Sequence, residues 1–230
     1  MQRSRLPTVE ELSAKINNTL VSPETTLEDL TRFVLESRSY GFGAVVIQGC
    51  WIKEVKELVK GSAMKISVGV GYPMGGETTD SKLTEIRQTG NLGADMFDVM
   101  PNIGFLKSGL DGRFRDEIAS MVRAADGRQV RVMLEYSILS PEEKVRAAVL
   151  SEEAGVAGVK NSSGWGRGGP ATVEDIKILR RSVSPKVYVK ASGGIRNLDA
   201  ALGLIDAGAA YLGTRAGVAI IDELRERLVE

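Results

Sequence analysis

Short apolar runs rich in Val, Ile and Met alternate along this chain with longer segments whose apolar residues recur at helical spacing. The runs predict strands at 14–19 (AKINNT), 43–48 (GAVVIQ), 65–71 (KISVGVG), 96–101 (MFDVMP), 129–136 (QVRVMLEY), 157–161 (AGVKN), 186–191 (KVYVKA) and 210–214 (AYLGT). The first is short and polar. Helix patterns lie between them. The segment 26–41 opens on a Thr with early acids and closes on a Gly, and 140–155 opens on Ser-Pro and closes on a Gly. The segment 172–183 starts with a Thr three residues before Asp175, and 197–208 runs from an Asn to a Gly. A last helix is expected over 216–229.

Eight strands alternating with helices predict a single-domain (β/α)8 barrel spanning 1–230. An open doubly wound sheet would more often show a Gly-rich loop after its first strand, and none is present.

Side chains of barrel strands alternate between the interior and the helix-facing side. Phe97 and Val99 oppose Asp98. Val132 and Leu134 oppose Arg131, Met133 and Glu135. Ala157 and Val159 oppose Lys160, and Val187 and Val189 oppose Lys190. The apolar sets suit packing against helices, which turns the charged set inward. Charge inside a barrel is costly unless it is paired or used. Each residue alone has an ordinary explanation: a strand-end lysine can be a solvated rim residue, and Asp98 can be a buried partner for Arg131. The set together points to a site.

Composition narrows the chemistry. The chain of 230 residues balances 30 Lys+Arg against 30 Asp+Glu, so no nucleic-acid or membrane-surface partner is expected, and any bound anion is held locally. There is no histidine, which removes Ser–His and Cys–His nucleophile pairs and histidine metal sites. The one cysteine, Cys50, builds neither an internal disulfide nor a thiolate zinc site. No metal and no organic cofactor is expected. The opening residues lack an apolar signal core and no run of 18 apolar residues occurs, so a cytoplasmic protein is expected. Proton transfer then falls to carboxylates, lysines, hydroxyls or water. A free lysine, with a pKa of about 10.4, is neutral in only about one copy in 2,500 at pH 7. A second cation on an adjacent strand, roughly 4.8 Å away, favours the neutral amine that attacks carbonyls.

Five stretches resemble the deoxyribose-phosphate aldolase family. GVKNSSGWG is similar to its Schiff-base motif, VKASGGIRNLDAAL to its second-lysine motif, and GADMFDVMPNIGFLKSG to its acidic strand. GAAYLGTRAGVAI is similar to its last strand and phosphate loop, and NNTLVSPETTLEDL to its opening segment. The resemblance runs from about residue 12 to 222. It implies a class I aldolase that cleaves 2-deoxy-D-ribose 5-phosphate reversibly to acetaldehyde and glyceraldehyde 3-phosphate. Lys160 would form the imine, Lys190 would lower its pKa and join a proton relay, and Asp98 would move protons. Thr19, Gly164, Gly193, Gly194, Gly213, Thr214 and Arg215 would hold the substrate and its phosphate. Loops after the last two barrel strands commonly bind phosphate, where glycines admit backbone N–H groups and an arginine can clamp the anion. The partners implied are a phosphorylated sugar and an aldehyde, with a homodimer or higher homo-oligomer by analogy.

The chain departs from the family pattern in places. Asn17-Asn18-Thr19 stands where Asp-His-Thr is usual, removing one acid from the relay region. Asn161-Ser162-Ser163 replaces Thr-Ser-Thr, and Trp165-Gly166-Arg167-Gly168-Gly169 follows it as a bulky, cationic loop that could reshape the acceptor pocket or add an anion contact. Arg215 stands where Ser is common. These changes leave room for a Schiff-base aldolase of another phosphorylated sugar or keto compound. The other readings are a non-catalytic sugar-phosphate-binding barrel, and an isomerase or lyase using Asp98 and Glu135 as acid and base.

Overall fold

The computed structural model describes residues 6–165 and 169–229. Eight parallel strands close into a barrel in chain order: β1 (Ile16–Leu20), β2 (Ala44–Ile47), β3 (Lys65–Val70), β4 (Met96–Val99), β5 (Gln129–Met133), β6 (Gly158–Lys160), β7 (Tyr188–Ser192) and β8 (Tyr211–Thr214). β8 pairs back onto β1 through Asn17↔Gly213 and Asn18↔Thr214. The helices among the described residues are α1 (Val9–Lys15), α2 (Leu27–Ser39), α3 (Ile52–Leu58), α4 (Thr79–Leu92), α5 (Ile103–Lys107), α6 (Asp111–Ala124), α7 (Pro141–Glu153), α8 (Val173–Ser182), α9 (Leu198–Asp206) and α10 (Gly217–Val229). None is long and apolar enough to cross a membrane.

The five helices expected from the sequence form, and their starts follow from local chemistry. Thr26 with Asp29 and Ser140 with Glu143 close reciprocal capping boxes, and the second helix begins on Pro141. Thr172 caps the Asp175 amide at 3.0 Å and Asn197 caps the Ala200 amide at 2.9 Å. Each such cap contributes about 1 kcal/mol.

The first strand is displaced. The expected span 14–19 begins inside α1, because Thr8 and Glu11 form a third capping box and Leu12 is fully buried, which carries the helix through Lys15. The strand therefore starts at Ile16. The fifth strand is shorter than 129–136: it ends at Met133, and Glu135 adopts a left-handed conformation with φ 47° that no strand continues through.

The alternation places the core as expected. Phe97, Val99, Val132, Val159 and Val189 are fully buried on the helix-facing side, each contributing about 1.5–3 kcal/mol by leaving water. The opposite face of the same strands carries Asp98, Arg131, Lys160 and Lys190, all buried, with Asp98 paired to each of the three cations. Outside the barrel, Lys82 of α4 and Glu117 of α6 form a buried ion pair of 3.0 Å. Lys82 also donates to the Gly75 carbonyl at 2.7 Å and Glu117 accepts from the Asn102 amide at 2.7 Å, so the pair ties the β3–α4 and β4–α5 loops together.

Candidate active site

Strand register brings the charged residues onto neighbouring rungs. Asp98 pairs with Arg131 across β4 and β5, and Lys160 pairs with Lys190 across β6 and β7. The Lys190 ammonium donates to Asp98 Oδ2 at 2.9 Å, and Lys160 Nζ lies 3.4 Å from the same oxygen. Arg131 takes the other carboxylate oxygen through its Nε. Its remaining nitrogens donate to Asn17 Oδ1 at 2.7 Å and Ser67 Oγ at 2.6 Å. Exposure is 4% for Lys160, 1% for Asp98 and Arg131, and zero for Lys190. One carboxylate therefore serves three buried cations.

The electrostatics follow from that arrangement. Burial alone would push the Asp98 carboxyl up, but Arg131, Lys190 and Lys160 outweigh it and hold the group far below the ordinary carboxylate range. Both lysines move the other way. Burial lowers Lys160, and Arg131 lowers it further against the pull of Asp98. Lys190 is lowered more strongly, by burial first and then by Arg131. Arg131, treated in the sequence only as a partner for Asp98, is thus a cation acting on both lysines.

Three neighbours hold the pair in place. The Asn161 side chain donates to the Ser192 carbonyl at 3.0 Å and accepts from the Ser192 amide at 2.8 Å. That amide of Asn161 locks the exit of β6 to the exit of β7, one residue past Lys160 and two past Lys190. Gly213 leaves room for Lys190: a Cβ there would lie 2.7 Å from Ser192 Oγ and 3.1 Å from Lys190 Cε. Glu135, expected as an inward strand residue, instead sits in the loop after β5 and accepts from the Ser163 amide, with burial pushing its carboxyl up.

Above the lysines, at the C-terminal ends of the strands, opens a cleft of about 590 Å³. Thr19, Gly164, Gly193, Gly194, Gly213, Thr214 and Arg215 all line it, together with Ser163 and Ser192 from the turns that follow the two lysines. Gly193 and Gly194 have φ of 99° and 68°, which L side chains rarely adopt, so the turn after β7 depends on glycine. The Thr214 hydroxyl is committed to structure: it donates to the Ile195 carbonyl at 2.6 Å and accepts from the Ala216 amide at 2.9 Å, joining the two loops. Arg215 is exposed and reaches Ser22 Oγ at 3.2 Å. Tyr72, Ser22 and Arg196 also line the cleft and were not expected there. Tyr72 packs edge-on against Trp165 with ring centroids 6.5 Å apart, forming one wall. Arg167, in the expected cationic loop, lies outside the described residues.

No family model matches the chain. Individual relatives do. The chain is 40% identical over 211 residues to the deoxyribose-phosphate aldolase of Streptococcus sanguinis, covering 92% of this chain and 96% of that one. It is 41% identical over 206 residues to the enzyme of the same name from Brevibacillus brevis, covering 90% and 93%. Among solved structures, the tetrameric deoxyribose phosphate aldolase of Aeropyrum pernix superposes with a TM-score of 0.88 at 28% identity, covering 96% of this chain and 93% of that one. With relatives at this identity along nearly their whole length, the chain belongs to the deoxyribose-phosphate aldolase family.

Proposed function

We propose that the protein is a class I aldolase that cleaves 2-deoxy-D-ribose 5-phosphate reversibly to acetaldehyde and glyceraldehyde 3-phosphate, with Lys160 as the nucleophile. The observation that carries this reading is a buried lysine in contact with Asp98, paired in register with a second lysine, on strands whose following turns line a cleft through Ser163 and Ser192. The relatives' shared name supplies the substrate.

The neutral Lys160 amine attacks the aldehyde carbon of the open-chain sugar, forming a C–N bond while the carbonyl oxygen takes a proton. Loss of water gives an iminium. Its positive nitrogen accepts the electron pair of the C2–C3 bond as that bond breaks, leaving an enamine in place of a bare carbanion. The C3 hydroxyl gives up its proton as glyceraldehyde 3-phosphate departs. Protonation of the enamine carbon and hydrolysis of the resulting iminium release acetaldehyde and return the Lys160 amine.

Lys190 is the proton carrier in this scheme. Its ionisation is lowered toward working pH, whereas Asp98 is held as a carboxylate by three cations and serves as the fixed anion between the lysines. The phosphate end of the substrate faces Gly193, Gly194 and Arg215, whose guanidinium has no carboxylate ion pair among the described residues. A cytoplasmic location and a homo-oligomeric state, the latter by analogy with the Aeropyrum pernix tetramer, belong to the same proposal.

Reductive trapping tests it. Incubation with deoxyribose 5-phosphate or acetaldehyde plus borohydride should add the substrate fragment at Lys160, located by mass mapping, and Lys160→Arg should abolish both adduct and turnover. Absence of an adduct at Lys160 would sink the reading. Adduct formation with other phosphorylated sugars but not deoxyribose 5-phosphate would keep the chemistry and change the substrate.

A further inference from the structure

Arg131 carries a fixed positive charge, because a guanidinium does not lose its proton in a protein. It is 1% exposed and sits in the middle of the barrel. Its three sets of N–H donors go to one carboxylate, Asp98, and two neutral oxygens, those of Asn17 and Ser67. The Asn17 carbonyl oxygen accepts at 2.7 Å, a place and distance at which an aspartate of the same shape would complete a second ion pair. The chain has an amide there instead.

The charge count that results is unbalanced. With both lysines protonated, the contact cluster holds three positive charges against one negative. Among the described residues no second carboxylate makes an ion pair with Arg131, Lys160 or Lys190. β2 (AVVI) has no ionisable side chain. β8 offers only Tyr211, and the Tyr188 hydroxyl of β7, which donates to Gln129 and also meets Arg131, is pushed up to about 12 by burial, so it stays neutral. At the lower rim Lys65 and Asp95 pair with each other at 3.5 Å. At the upper rim Glu135 accepts from the Ser163 amide and its carboxylate pulls on Lys160 from outside the contact cluster, a smaller effect than those of burial, Asp98 and Arg131. A buried net charge is unfavourable, and the groups able to relieve it by losing a proton are Lys160 and Lys190.

We propose that Asn17 and Ser67, two neutral partners of Arg131, set the pH at which Lys160 forms its imine: they leave the barrel interior short of negative charge, and the interior relieves the shortage by releasing a proton from the lysine pair. Both are positioning residues that act through Arg131. The inference rests on the imine chemistry proposed for Lys160.

The test follows the acidic limb of the pH profile, using cyanoborohydride trapping of acetaldehyde at Lys160 and kcat/KM between pH 5 and 10. Asn17→Asp supplies the missing charge and should move the limb up by about one pH unit, the low end of the shift expected for a charge one side chain removed. Trapping at pH 6 then falls by about tenfold, while at pH 9 it stays near the parent value. Ser67→Asp supplies the same charge from the other side of the guanidinium and should move the limb in the same direction. Asn17→Ala and Ser67→Ala, which alter packing without adding charge, should leave it in place. Folded Asp variants with an unmoved limb overturn the inference, as do Ala variants that shift it as far as Asp does. If neither Asp variant folds, the parent decides: a limb above about pH 9.5 overturns the inference, since the free-lysine value of about 10.4 would then be lowered by less than about one unit. A parent that traps no aldehyde at any pH refutes the aldolase reading itself, whereas trapping with an unmoved limb refutes only the role of Asn17 and Ser67.

Discussion

Raising the pH from 7 to 9 should make this protein more stable. The reason lies in the two interior lysines, whose ionisation is lowered in the folded chain and returns to about 10.5 when the chain unfolds. The sign follows from proton counting. Between the folded and unfolded values the unfolded chain binds more protons, so stability rises with pH at about 1.4 kcal/mol per unit for each lysine that is neutral when folded. A lysine that stays neutral in the folded chain across the whole interval would contribute about 2.7 kcal/mol between pH 7 and 9. With a urea slope of about 3 kcal/mol per M for a chain of this size, the unfolding midpoint moves up by about 0.9 M. Above about pH 10 the trend reverses. Tyr72 and Tyr188 are pushed up to about 12 by burial, and Tyr136 is also raised, so their unfolded forms ionise first. Urea titrations monitored by circular dichroism at half-unit intervals from pH 6.5 to 10.5 measure the curve. Lys190→Met should reduce the slope by the share of one proton. Midpoints that are flat or falling between pH 7 and 9 would refute lowered lysine ionisation, and with it the electrostatic account of the site.

Other outcomes follow from single contacts. Gly213→Ala should disturb the Lys190–Asp98 contact, costing about 1–3 kcal/mol by overpacking and lowering kcat more than it raises KM; unchanged kcat would show that Lys190 does not need that space. Asn161→Ala removes both bonds to the Ser192 backbone and should cost about 1–3 kcal/mol in urea unfolding, with a parallel loss of imine trapping. Arg215→Ala should raise KM for the phosphorylated sugar by roughly 10- to 100-fold, the loss of a charge-assisted bond of about 1.5–3 kcal/mol, while leaving acetaldehyde trapping at Lys160 unchanged. An equal effect on both substrates would remove the arginine from phosphate binding.

Much of the architecture was legible because barrel strands report their two faces in alternate residues. Asp98, Arg131, Lys160 and Lys190 could be turned inward from parity alone, without any three-dimensional information. The first strand resisted that reading, since INNTL carries three polar residues and a capping box at Thr8 extends a helix into the expected span. Glu135 was misplaced because parity holds only while the backbone stays extended, and a left-handed residue at that point is not marked in the sequence. Tyr72 went unnoticed at the cleft because it enters from a loop whose path depends on the distant Lys82–Glu117 pair. Gly213 was read as a phosphate-loop glycine. It lines the cleft, but its missing side chain also makes room for Lys190, a packing relation between two strands that no single stretch encodes.

The rung shared by Lys160 and Lys190 has a consequence for how this protein tolerates change. β6 is only three residues long, and Lys160 is its last. Deleting one residue ahead of it would leave every side chain of the proposed site present and every motif readable, yet would rotate that amine onto the outer wall among the helices. Insertions and deletions in β6 should therefore be far more damaging than substitutions.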